Sequence, residues 1–252
     1  MPNWKLINKT YIYDGTFDGF LTIVFDSYVS KTLPQKIYPQ DNYKHNFLDN
    51  TLVIDTNHSK AKRVFEGISN TISYDTLYNS YNSFLSNEKD KELYILKYLC
   101  DGFDIGSKIN NMLTISYVFK VINMKKRTLF ECHRLKGLLR FKEVSNNLYY
   151  SHIHPDNNII ESLGQHFIRR LPNQNFIIHD KNRNLCFIYY KKEYKIINST
   201  KIKIPDISKE EQKYQDLWKL FFKTISIKER INPRCQMQHM PKKYWKDLIE
   251  EP

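Results

Sequence analysis

A chain of 252 residues is long enough to bury a substantial core, and with 26% charged and 14% aromatic residues it is a folded protein and not a disordered tail. Lys and Arg outnumber Asp and Glu by 39 to 27, a net charge of +12 that favours an anionic partner, nucleic acid before a membrane surface. Cys100, Cys132, Cys186 and Cys235 form no CxxC pair, which argues against a zinc ribbon or disulfide framework, and without a leader or long apolar run the expectation is a cytoplasmic protein with no membrane partner.

The segment from Thr10 to Phe17 alternates β-favouring side chains and turns at Asp14-Gly15. Asp18 is expected to cap a helix over 20–28. The spacing of Gly15 and Gly19 lacks the third glycine and the GK[ST] ending of a phosphate loop, so it reads as a turn and a cap. A polar loop over 34–50 leads to a short strand over 51–55. Ser59 then caps a helix from Lys60 to about Ser69, with Val64, Phe65, Ile68 and Ile72 on a core face.

The spacing predicts helix over 73–99 with a break near 87–90. Tyr74, Leu77, Tyr78, Tyr81 and Leu85 form one apolar stripe; Leu93, Leu96, Tyr98 and Leu99 form a second. Both are assigned to the core. Gly102 and Gly106 mark a loop. Residues 109–137 are again helical in pattern, with a capping box at Thr128-Leu-Phe-Glu131 that starts a separate helix and Gly137 as its C-cap. His133, Arg134, Lys136, Arg140 and Lys142 concentrate positive charge at this junction.

Between Leu139 and Tyr194 the period changes to two. Strands are expected over 139–144, 148–154, 175–179 and 185–190, with turns at 145–147 and 181–184 and a helix over 159–170 between the two hairpins. Residues 191–204 form a polar tail with room for one more short strand. The final helix begins at Pro205-Asp-Ile-Ser208. In it Leu217, Trp218, Phe221, Phe222 and Ile225 share an apolar face suited to closing the core, while Lys219, Lys223, Ser226 and Arg230 make a basic face. After Pro233 the chain is expected to leave the helix, alternating basic, amide and aromatic groups as far as Trp245.

These elements give an α+β fold: a central antiparallel sheet, built as a β-β-α-β-β unit, packed with N-terminal and C-terminal helices. The expectation is one domain over 1–252, divisible into a mainly helical part, 1–138, and a sheet with its C-terminal helix, 139–252.

Several segments together resemble a known family. They are Tyr11-x-Tyr-Asp-Gly-Thr-Phe-Asp-Gly19, Glu131-x-His-Arg-x-Lys-Gly-x-x-Arg-Phe141, Arg170-Leu-Pro-Asn173 with Ile178-His-Asp180, and a closing run from Tyr214-x-x-Leu-Trp218 through Ile227-x-Glu-Arg-x-Asn-Pro-Arg234 to Met240-Pro-Lys-x-Tyr-Trp245. In this order, over nearly the whole chain, they resemble the bacterial family labelled probable DNA metabolism protein, whose core is a domain of unknown function. The resemblance implies DNA as a partner and a radical-SAM protein of DNA repair or modification as a second; related domains are fused to uracil-DNA glycosylase domains. It implies no catalytic residue and no cofactor, and His152 and His154 stand outside its pattern.

Residue chemistry supplies the candidate sites. Arg134, Lys136 and Arg140 on one side, and Lys219, Lys223, Arg230, Arg234, Lys242 and Lys243 on the other, are the phosphate-binding set, with neighbouring aromatics to stack bases and Gln236 and Gln238 as further hydrogen-bonding groups. His133 (with Glu131), His179 and Asp180 are the candidates for acid–base catalysis, although Asp180 also stands where a hairpin turn needs an Asx residue. His152 and His154, followed by Asp156, have the spacing of metal ligands and need further ligands, for which the fold could bring His166 and His179 near; ordinary surface histidines are the preferred reading, and no metal is assigned. Three readings stay open: a DNA-binding accessory factor, a glycosylase-like or nuclease-like enzyme, and a protein-interaction subunit.

Overall fold

The computed structural model describes residues 4–47, 49–145, 147–200, 207–230 and 232–249. The chain is mixed α+β, with a three-stranded and a five-stranded sheet, and divides into two units, Met1–Leu129 and Phe130–Pro252.

In the first unit β1 (Lys5–Tyr13) lies between β2 (Thr32–Pro39) and β3 (Thr51–Val53), parallel to both. Strands near Thr10 and at 51–55 were expected, but β2 was not, since residues 34–50 were expected to be a loop. The reason is that β2 carries Pro34 and Pro39 and borrows its regularity from β1, as an edge strand can. Between β1 and β2 runs α1 (Phe17–Ser30), capped by Thr16, whose hydroxyl accepts the Gly19 amide, and not by Asp18. Its apolar run Phe20–Val24 is buried against the sheet side chains Tyr11 and Tyr13.

Helix α2 (His58–Gly67) is capped by Asn57 instead of Ser59. After a π-turn over Ile68–Ile72, α3 (Tyr74–Phe84) begins at a Ser73 cap. Its inward face is not the tyrosine stripe. Tyr74 and Tyr78 are exposed, and Thr76, Asn79, Ser80 and Ser83 are buried beside Leu77. Those polar groups find partners that only tertiary structure provides: Asn79 donates to the Tyr98 hydroxyl at 3.1 Å, and Ser83 to the Val121 carbonyl at 2.7 Å. Helix α4 (Lys91–Ile105) contributes Ile95, Leu96, Tyr98 and Leu99 to the core, keeps Gly102 within it and ends at Gly106.

Helix α5 (Ser116–Leu138) is continuous through Thr128, which is buried. The capping-box pattern there is a helix interior, and the division between the two units falls within this helix.

In the second unit, β4 (Lys142–Ser145), β5 (Leu148–Ile153), β6 (Asn175–Asp180), β7 (Leu185–Tyr190) and β8 (Glu193–Asn198) form one sheet in that order. It is mixed, not antiparallel: β5 and β6 pair in parallel, with His152 opposite His179. The cause is the helix between them, α6 (Ile160–Arg170), because a helical crossover returns the chain to the end of the sheet from which it left. α6 lies against β7 at Gly164, where an added Cβ would stand 2.3 Å from a ring carbon of Phe187. Leu135, Leu163, Phe167, Phe176, Ile178 and Phe187 make this core.

Helix α7 (Lys209–Ile225) is capped by Ser208; the expected start at Pro205 and Asp206 lies outside the described residues, as does Asn146 of the first hairpin turn. Its apolar side does not close a core. Leu217 is 60% exposed, Phe221 51% and Ile225 56%, and the helix is held instead at its N-terminal half, where Gln215 is buried and Glu211 accepts the Glu143 amide of β4 at 3.1 Å. Beyond it the chain is helical again, in α8 (Pro233–His239), because Asn232 caps the Cys235 amide and Pro233 takes the first helical position. A 3₁₀ segment, Lys242–Asp247, follows.

Candidate nucleic-acid interface

The last turns of α5 divide by face. Glu131, Cys132, Leu135 and Leu139 are buried, whereas Phe130, His133, Arg134 and Gly137, at i, i+3, i+4 and i+7, share the opposite side. With Leu138 and His239 of α8 these residues line an open cleft of about 390 Å³. The Arg134 guanidinium sits 4.1 Å from the centre of the exposed Phe130 ring and donates to the Gln238 carbonyl at 3.2 Å. Gly137 keeps the floor open, since nothing lies within 4 Å of where its Cβ would be. A guanidinium, two imidazoles and an exposed aromatic ring in one cleft suit a phosphate and an adjacent base. Phe130 and His239 were not among the expected site residues; for Phe130 the signal was the helical spacing from Phe130 to Gly137, which the expected helix already contained.

The buried side of the same turns is a hub. The Glu131 carboxylate accepts the amides of Asp156 and Asn157 at 2.9 and 2.8 Å, the Asn157 side chain at 2.7 Å, the Tyr244 hydroxyl at 2.8 Å and the Lys243 ammonium at 3.0 Å. Burial opposes the charge on Glu131, yet these five donors hold its carboxyl below the usual carboxylate range. Lys243 also reaches Asp156 at 2.5 Å, and its ammonium is raised well above an ordinary lysine by the two carboxylates against the cost of burial. Lys243 is therefore committed to holding the 3₁₀ segment on α5 and on the loop after β5.

The other basic residues divide similarly. Arg140 donates to the Gly137 carbonyl at 2.9 Å and closes the end of α5, and Lys136 is half-buried. Lys219, Lys223, Arg230, Arg234 and Lys242 are exposed, with Lys242 5.7 Å from the Trp245 ring. On α7 the exposed lysines stand beside Trp218 and Phe221, whose ring centroids are 5.7 Å apart.

His179 is buried, with one ring nitrogen 3.0 Å from the Tyr150 hydroxyl and the other 2.8 Å from Ser199 Oγ. Burial, then Lys181 and the nearby histidines, pushes its pKa down to about 4. With both nitrogens engaged and no charge at neutral pH, it has nothing to offer a substrate. Asp180 accepts the Asn182 and Arg183 amides at 2.9 and 3.2 Å and pairs with the Arg183 guanidinium at 3.0 Å, an Asx turn that closes the β6–β7 hairpin. His152 and His154 do acquire a carboxylate, Asp247, which lies 93 residues beyond His154. Among the described residues no group of three or more His, Cys, Asp or Glu is placed to hold a metal ion, and no helix is long and apolar enough to cross a membrane.

A family profile described as a domain of unknown function, DUF4130, matches residues 89–250. No curated protein matches the chain. Among solved structures, a pGpG-specific phosphodiesterase, PggH, from Vibrio cholerae aligns over 71% of this chain and 81% of its own, at 13% identity and a TM-score of 0.34.

Proposed function

This chain belongs to the DUF4130 family, a domain of unknown function, and from that premise we propose that it is a DNA-binding accessory factor of DNA metabolism. The observation that carries the reading is the cleft in which Arg134 stacks on the exposed Phe130 between His133 and His239. Such a pairing gives a phosphate a guanidinium and gives an unpaired base an aromatic face. The exposed cations Lys219, Lys223, Arg230 and Arg234 extend the basic character, and the net charge of +12 draws a polyanion to it. The family resemblance adds the proposed partner, a radical-SAM protein of DNA repair or modification, for which this chain would hold the DNA.

Fluorescence anisotropy with short single-stranded and duplex DNA tests the reading. Arg134→Ala and Phe130→Ala should each weaken single-strand binding about tenfold, in line with roughly 1–3 kcal/mol per stacked base. Unchanged binding in both variants would remove the cleft from the interface, and no binding at low salt would remove DNA as the partner. The exposed apolar side of α7 favours a second reading, a protein-interaction subunit. That reading predicts co-purification with a protein partner that survives loss of DNA binding and is abolished by Phe221→Glu.

A further inference from the structure

We propose that His152, His154 and Asp247 form an acid–base site that hydrolyses a phosphodiester. This activity is additional to DNA binding and independent of the Arg134 cleft.

The placement follows from the strand period. Tyr150 and His152 of β5 share one face and His154, directly after the strand, continues the row, with successive ring centroids 6.1 and 6.0 Å apart. Asp247, from the 3₁₀ segment, meets this row. Its Oδ1 is 2.8 Å from His154 Nδ1 and 3.5 Å from His152 Nε2. A carboxylate can only accept, so His154 carries its proton on Nδ1 and directs the Nε2 lone pair away from Asp247. The burial is graded: the Asp247 side chain is 6% exposed, His154 24% and His152 26%. The carboxylate is thus withdrawn from solvent while both imidazoles can be reached.

Two further observations separate this group from an ordinary structural ion pair. Asp247 Oδ2 is buried and without a hydrogen-bond partner among the described residues. Glu131, by contrast, receives five donors, whereas among the described residues Asp247 is held through Oδ1 alone. The surroundings are also cationic. Lys142 of β4 is paired with Tyr150 of β5, and the Lys181 amide of the β6–β7 turn donates to the Ile153 carbonyl at 3.0 Å, which puts two lysines beside the row, so the substrate class that fits is an anionic ester. His179, opposite His152 in the sheet, is hydrogen-bonded at both ring nitrogens and fixes the Tyr150 end of the row.

The step balances without a metal or oxidant. Water attacks phosphorus and gives its proton to His154 Nε2 as the new P–O bond forms. The bond from phosphorus to the ester oxygen breaks, its electron pair stays on that oxygen, and protonated His152 supplies the proton. The products are a phosphomonoester and an alcohol, and proton exchange with solvent resets the pair. His152 and His154 are the catalytic residues; Asp247 positions His154. Productive enzyme needs His152 charged and His154 neutral. Burial lowers the His152 pKa, and Lys142, His154 and Lys181 reinforce this against the opposing pull of Asp247. The charged form is lost as pH rises through that depressed value, so the rate peaks on the acid side of neutrality.

The test is hydrolysis of bis(4-nitrophenyl) phosphate by the full chain, in EDTA, from about pH 4 to 9. The expected result is turnover with an acid-side optimum, reduced at least 100-fold by His154→Ala and His152→Ala. Asp247→Asn should lower kcat with little change in KM and shift the pH profile, and Asp247→Glu should recover part of the rate. Thermal unfolding of each variant identifies any that fails to fold; His154→Gln, which keeps an amide donor toward Asp247, then replaces His154→Ala. Absence of turnover by the unmodified chain, abolition of turnover by EDTA, or an unchanged rate in a folded His154 variant would overturn the assignment. A failure to bind DNA would leave it standing.

Discussion

Glu131 shows how one residue can be identified in sequence and still be misassigned. Its place three residues after Thr128 matches a capping box, but its carboxylate instead receives the amides of Asp156 and Asn157 and the side chains of Lys243 and Tyr244. Removing this buried carboxylate leaves two backbone amides, the Asn157 side chain and the Tyr244 hydroxyl without their acceptor and takes one of two carboxylates from Lys243, so Glu131→Ala should cost about 3–5 kcal/mol in urea unfolding. Because its folded pKa lies below the unfolded value near 4.3, Glu131 contributes stability above that pH and loses it as pH falls through the lowered folded value. His179 adds a second acid-sensitive component. Held neutral down to about pH 4, it binds its proton in the unfolded chain first, so stability should decline between roughly pH 6.5 and 4 by on the order of 3 kcal/mol and then level off. A pH series of unfolding curves for the protein and for His179→Gln checks this; the variant should lack that part of the decline.

At the scale of elements, packing decided what propensity left open. Gly164 lies in the middle of α6, where alanine is the better helix former by about 1 kcal/mol. Its Cβ would nonetheless strike the ring of Phe187, which is fully buried. Gly164→Ala should therefore destabilise the protein by about 1–3 kcal/mol in chemical denaturation; a stabilised variant would mean that α6 does not rest on β7 as described. The strands over 148–154 and 175–190 were legible because alternation reports a half-buried strand directly. Their relative direction depends on where the intervening helix packs, and β2 was missed because prolines hide an edge strand whose regularity comes from its neighbour. In α3 the stripe was right at Leu77 but not at Tyr74 and Tyr78, since Thr76, Asn79 and Ser83 are buried only because Asn110, Tyr98 and the Val121 carbonyl receive them.

For the whole molecule, the charge excess sets the expectation for partners. Lys219, Lys223 and Arg230 remain exposed, so changing all three to Gln should flatten the salt dependence of single-strand DNA binding by about 2 in log–log slope, since each phosphate left without its cation lowers the slope by about 0.7. An unchanged slope across a salt series would move the DNA away from α7. Lys243, grouped with them in sequence, should contribute little to that slope, as its charge is already balanced by Glu131 and Asp156.

By itself the sequence determined the quantities that are local or additive: the basic charge, the strand period between Leu139 and Tyr194, the helix over most of 73–138, and the i, i+2 placement of His152 and His154 on one side of the chain. Composition and periodicity are properties of neighbours along the chain, so they survive without knowledge of the fold. Only the tertiary structure decided the parallel pairing of β5 with β6, the exposure of the α7 apolar side, the burial of Glu131 and the meeting of Asp247 with His154. Each depends on residues tens of positions apart, and a side chain's charge, accessibility and hydrogen-bond partners are set by whatever the fold brings against it.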